Sequence, residues 1–246
     1  MSHPTAIPTL KTFSSRTAAR LGFWIALAEA VLAGTAFALG LATTPHSGPF
    51  CSGPCLDYPY TNAAQFVPSD YLWMYPGILL TPLFLVLMAC IHYCVPVGKR
   101  LFSLMGICFT TICTSLITFN YFVQLDVLQP SLLRGEAHGL ELFTQYNPHG
   151  IFIALEDLGY LMLATAFFFA GLAIPRAVKL EGGIRWTFLA SAVLAFATYL
   201  GMSWHFGPNL DYRFEITVIT IDWITLVVTG LLLTLFFRRA ARTGYF

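Results

Sequence analysis

The chain has 246 residues, 57% of them apolar and 10% charged, with 13 Lys and Arg against 12 Asp and Glu. A soluble domain carries about 25% charged residues, so this chain has too little charge to cover a water-facing surface. The few basic residues are scattered rather than clustered, which argues against nucleic acid as a partner.

The apolar residues fall in long runs, and six windows can cross a hydrocarbon core of about 30 Å as helices. They are Leu21–Thr44, Tyr71–Val97, Leu101–Asp126, Gly150–Pro175, Ile184–Phe206 and Glu215–Phe237. None alternates in the manner of a barrel strand. The expected fold is all-α: a polytopic bundle of six transmembrane helices over 21–238, with a segment 1–20 before it and a tail 239–246 after it. The first window is longer than the apolar region of a secretory signal and follows about 20 mostly polar residues, so it is expected to remain as a span. The words "WIALAE" (Trp24–Glu29) and "FIALED" (Phe152–Asp157) resemble each other. They fit either an inverted repeat of three helices or the chance recurrence of apolar residues.

With both termini cytoplasmic, the inner side carries Lys11, Arg16, Arg20, Lys99, Arg100, Arg176, Lys179, Arg185, Arg238, Arg239 and Arg242, and the outer side only Arg134 and Arg213. Basic residues resist translocation, so this is the expected orientation. No Asn is followed by the hydroxyl residue of a glycosylation sequon, which fits a prokaryotic cytoplasmic membrane. Asp57, Asp70, Asp126, Glu136, Glu141, Asp211 and Glu215 fall outside, where they would attract cations. Acids also cross membranes with little resistance, so their placement says little about topology.

In the first span, Ala26, Ala30, Ala33 and Gly34 allow close helix approach around Glu29, which could meet His92 of the second span across the bundle. In the first outer loop, 45–70, Cys51 and Cys55 of "CSGPC" are expected to form a structural disulfide. Cys90, Cys94, Cys108 and Cys113 are expected to be reduced packing residues. Tyr71, Trp73 and Tyr75 of "SDYLWMYPG" read as an interfacial aromatic belt, with a cation pocket as the alternative. The third span brings Asn120 and Gln124 to its outer end, and the second outer loop, 127–149, holds either a short interfacial helix or an ordered lid.

The fourth span poses the main question, because Glu156 and Asp157 stand side by side near its start. Each acid costs roughly 2.5–3.5 kcal/mol at mid-membrane, so something must offset it. On a helix, His149, Glu156 and Tyr160 form one stripe, and in the sixth span Glu215, Asp222 and Thr229 form another. Counted from the outer surface, Glu156 and Asp222 fall at similar depth. The expected site is therefore an outward-opening polar pocket built from Glu156, Asp157, Asp222, His149, Tyr160, Asn120 and Gln124.

The expected function is transport or binding of a proton, metal cation or small cationic solute within the lipid bilayer, and a chain of this length could complete a transporter as a homo-oligomer. A membrane-embedded acid/base enzyme acting on a lipid is the first alternative. An accessory or assembly subunit, whose acids only tie helices together, is the second. No cofactor is expected. His149 and His205, both near the outer surface, leave a single bis-His haem as a minor alternative, while His92 has no inner partner. No helix carries a retinal lysine, and His46, His138, His149 and His205 with Glu136 or Glu141 lack the tight spacing of a metal site.

Overall fold

The computed structural model describes residues 9–243 apart from 137, with side chains from Ser15 to Arg242. Residues 1–8 of the expected leading segment, 244–246 of the tail, and the side chain of Lys11 lie outside the described residues. Among the described residues the regular structure is helical, with no strand. Six helices are long and apolar enough to cross a membrane. They are α1 (Thr9–Ala42), α2 (Met74–Cys94), α3 (Arg100–Val123), α5 (Ile151–Ala173), α6 (Lys179–Phe206) and α7 (Tyr212–Thr243). A short α4 (Gln129–Arg134) stands apart from them. Each long helix coincides with one of the expected windows. The ends differ where polar residues extend a helix beyond its apolar core, most of all in α1, which begins at Thr9 rather than Leu21.

The six helices close into a ring. α1 packs on α2 and α7, α3 on α2 and α5, and α6 on α5 and α7. α5 also reaches α7 across the interior, which brings together two helices that carry acids. One end of the bundle collects the links 43–73, 124–150 and 207–211, and the other collects the links 95–99 and 174–178. We call these the acidic and basic ends, after the charges that predominate in each.

Toward the basic end the packing is close. A Cβ on Gly230 would lie 2.9 Å from the Ala26 carbonyl oxygen and 3.0 Å from Ala30, so α1 and α7 meet almost backbone to backbone. Phe167 joins Phe84 and Phe188 at ring-centre distances of 5.4 and 5.2 Å. Arg185 donates to the carbonyls of Gly171, Leu172 and Ile174, and Lys99 donates to Leu172 at 2.8 Å. Together they satisfy acceptors left open at the end of α5.

The acidic end is built differently. α3 runs through a π turn, Gln124–Leu128, directly into α4. The short helix is thus a continuation of the third span, anchored by buried Leu128, Gln129 and Leu132. Residues 138–150 then fold back as a cover. The Gln124 amide grips their middle with both its nitrogen and its oxygen, donating to the Phe143 carbonyl at 2.6 Å and accepting from the Gln145 N–H at 3.2 Å. In the other long link, Cys51 and Cys55 form the expected disulfide, with an S–S distance of 1.99 Å.

Two expectations change here. Tyr71 and Trp73 turn inward and are buried, and only Tyr75, half exposed, stands where a belt residue would. The matched words of the suggested repeat also differ in environment: Trp24 is 66% exposed whereas Phe152 is 2% exposed.

Candidate functional site

α5 starts at Ile151 and α7 at Tyr212. At 1.5 Å per residue, Glu156 and Glu215 lie about 8 Å and about 5 Å from the starts of their helices, and Asp222 about 15 Å. The neighbour of Glu156 is therefore Glu215, not Asp222. α7 begins a turn earlier than its apolar window, so Asp222 is carried deeper into the bundle.

Glu156 is fully buried, and its Oε1 accepts from the Tyr121 hydroxyl at 2.6 Å. The Tyr121 proton is used there, so the Tyr160 hydroxyl, 2.8 Å away, donates to Tyr121. The Trp223 indole N–H donates in turn to Tyr160 at 3.0 Å. One directed chain, Trp223 to Tyr160 to Tyr121 to Glu156, thus links α7, α5 and α3. The Glu156 Oε2 is buried without a hydrogen-bond partner, and the Glu215 carboxyl of α7 is close enough to interact with it electrostatically. A carboxylate only accepts, so two neighbouring buried carboxyls can bond to each other only where one of them carries a proton. Asp157 points away from this chain, partly buried but close enough to Glu215 to interact electrostatically.

Beside Glu215 lies a cavity of about 360 Å³. Its walls are the end of α1, residues 43–47 and the first turns of α7, and Trp73, Phe152 and Trp223 contribute aromatic surface. Glu215 and Asp70 bring carboxyls to it, His46 an imidazole, and Tyr146 and Tyr212 phenols. None of its lining residues is Lys or Arg. Asp70 accepts from the Tyr146 hydroxyl at 3.0 Å. Burial pushes the Tyr146 hydroxyl far above its ordinary range, so it stays a donor at any physiological pH. His46 stacks on Phe66 with ring centres 3.6 Å apart, and its Nε2 lies 3.7 Å from Asp70. Its Nδ1 is buried without a hydrogen-bond partner. Tyr212 closes one side, bonded to Ser47 at 2.7 Å and to the Gln145 carbonyl at 3.0 Å.

Of the residues expected in the site, Glu156 and Tyr160 are brought together at its core. Asn120 and Gln124 stand at the right level but are spent on backbone: Asn120 donates to the Phe152 carbonyl at 2.9 Å, and Gln124 holds the cover. His149 precedes α5, so helical spacing does not govern it. It is exposed and pairs with Asp211 at 3.3 Å, away from Glu156. Asp222 faces α6, 3.4 Å from Ser191. Glu29 does not meet His92. It lies near Cys113, which is also near Asp222, while His92 bonds Ser103 at 2.8 Å. Both Glu29 oxygens are buried without a hydrogen-bond partner. Among the described residues no three His, Cys, Asp or Glu side chains converge to hold a metal ion.

The residues absent from the expectation are Glu215, Asp70, His46, Tyr121 and Trp223. Glu215 carried a signal, its seven-residue spacing from Asp222, but as the first residue of the sixth window it was counted among the outer-side acids and not among the pocket residues. Trp73 carried one in the cation-pocket alternative for "SDYLWMYPG". No family model matches the chain, and no curated protein or solved structure matches it either.

Proposed function

We propose that this is a multi-pass membrane protein, its termini cytoplasmic, that binds a small organic cation in the cavity at its acidic end as the first step of transport. The observation that carries the reading is the lining of the cavity: two buried carboxyls, broad aromatic faces and no basic side chain. A cation over Trp or Tyr faces gains about 0.5–2 kcal/mol from the ring quadrupole, and a carboxylate supplies the countercharge. A volume of about 360 Å³ is at the lower end of small-molecule sites. Glu215 is the group through which occupancy couples to protons. A cation beside it favours the ionised carboxylate and displaces the proton shared with Glu156.

The test is titration of the purified protein in lipid nanodiscs with tetramethylammonium, read by fluorescence of the cavity tryptophans. Wild type is expected to saturate, and Glu215→Gln to bind at least about tenfold more weakly, a difference of about 1.4 kcal/mol. Equal affinity in the two proteins, with both folded, excludes the reading.

One observation favours a second reading. His46, stacked on Phe66 with Asp70 nearby and with a free Nδ1 at the cavity wall, has an arrangement open to a general base. A membrane enzyme working this way would alter the lipid composition of cells that lack it, and His46→Gln would reproduce the loss.

A further inference from the structure

The cavity is open to the side as well as toward the loops. Its rim includes Leu41 on α1 and Ile216 on α7, which are 71% and 42% exposed. Both residues belong to helices long and apolar enough to cross a membrane, so an exposed side chain there faces lipid. Both also lie within about one turn, or ~5 Å, of the acidic-end terminus of their helix. That is the depth of the interfacial layer. The other exposed rim residues, Thr44 and Pro45, continue the opening to the bundle end. The carboxyls sit inward of this rim. Glu215 is directed to Glu156 at the bundle interior, and Asp70 is held by Tyr146.

The opening makes two environments continuous: an acidic aromatic chamber and the acyl region beside α1 and α7. A solute confined to water needs only the first. From this arrangement we infer that the ligand is amphiphilic, an ammonium head carried on an alkyl chain. Its head sits between Asp70, Glu215 and the Trp73 and Trp223 rings, and its tail leaves past Leu41 and Ile216 into the bilayer. Gly40 helps form this passage. A Cβ there would lie 3.6 Å from the Trp223 ring, so a larger side chain would fill the space in front of the indole. The inference deepens the cation-binding reading and rests on it.

A chain-length series tests it. Tetramethylammonium, hexyltrimethylammonium and decyltrimethylammonium are titrated against the full chain in nanodiscs, with decyl sulfate as a tail of opposite charge. Affinity is expressed relative to the concentration of each compound in the bilayer, and Leu41→Trp and Ile216→Trp are measured beside wild type. The replaced side chains are exposed, and Trp is well tolerated at a membrane interface, so both variants are expected to fold. Decyltrimethylammonium is expected to bind at least about tenfold more tightly than tetramethylammonium, and the rim variants to remove that gain while leaving tetramethylammonium within about twofold. Equal affinity along the series, or rim variants that change nothing, overturns the amphiphile inference and leaves the cation reading standing. Absence of binding by every ammonium compound overturns both. Decyl sulfate binding as tightly as decyltrimethylammonium shows that the tail alone is recognised, which also overturns both.

Discussion

The two halves of the bundle solve the same problem, holding six helices together, with opposite materials. Toward the basic end, small residues let backbones touch, aromatic rings fill the centre, and Lys99 and Arg185 end on carbonyl oxygens. Toward the acidic end, helices are joined by carboxyls, phenols and amides, and a cavity remains between them. A bundle that needed only stability could have been built throughout like its basic half. Association within lipid relies on packing and hydrogen bonds rather than on hydrophobic burial. The polar half, with its void and its neighbouring carboxyls, is the part on which the proposed ligand site rests.

The largest expected effect tests the packed half. Gly230→Val places a side chain against the Ala26 carbonyl and Ala30, and should destabilise by the upper part of the usual overpacking range of about 1–3 kcal/mol. Gly201 has open space around it, so Gly201→Val should leave the melting temperature in nanodiscs nearly unchanged. Equal effects at the two glycines would show that the close α1–α7 contact is unimportant.

A smaller effect is expected from Tyr121→Phe in the polar half. It removes the donor to Glu156 and the acceptor for Tyr160. A hydrogen bond to a charged group contributes about 1.5–3 kcal/mol and one between neutral groups about 0.5–1.5 kcal/mol. With the proposed proton on the Glu156–Glu215 pair, thermal unfolding should report a loss of about 1.5 kcal/mol, where the two ranges meet. A variant as stable as wild type would mean that water replaces the phenol freely.

The smallest effect is expected from His149→Ala. His149 is exposed in its pair with the half-buried Asp211, and surface pairs contribute about 0–1 kcal/mol. Tetramethylammonium affinity should stay within about twofold, because His149 does not line the cavity. A larger loss would restore His149 to the site and blur the boundary between cavity and surface.

The long elements were legible in the sequence because apolar length alone decides whether a segment can span a membrane. Glu156 and Tyr160 were legible because a carboxyl inside such a segment demands partners. The pairing was not. Depth was counted from the ends of apolar windows, and the turn Tyr212–Phe214, with its polar Tyr212 and Arg213, belongs to the helix although it precedes the window. That turn moves Glu215 opposite Glu156 and sends Asp222 to Ser191. Asp70 and His46 were illegible for another reason. They reach the cavity through the fold of residues 43–73, whose turns leave no periodic trace. Helical spacing also misled at His149, because the helix that would have aligned it with Glu156 begins two residues later.

The central claim is that a cation entering the cavity displaces the proton held between Glu156 and Glu215. Calorimetric titration of tetramethylammonium in buffers of different ionisation enthalpy measures that proton directly. Binding to wild type is predicted to release close to one proton, and Glu156→Gln to bind the cation with little or no release. Heat that is independent of the buffer, or the same release from wild type and Glu156→Gln, would contradict the account.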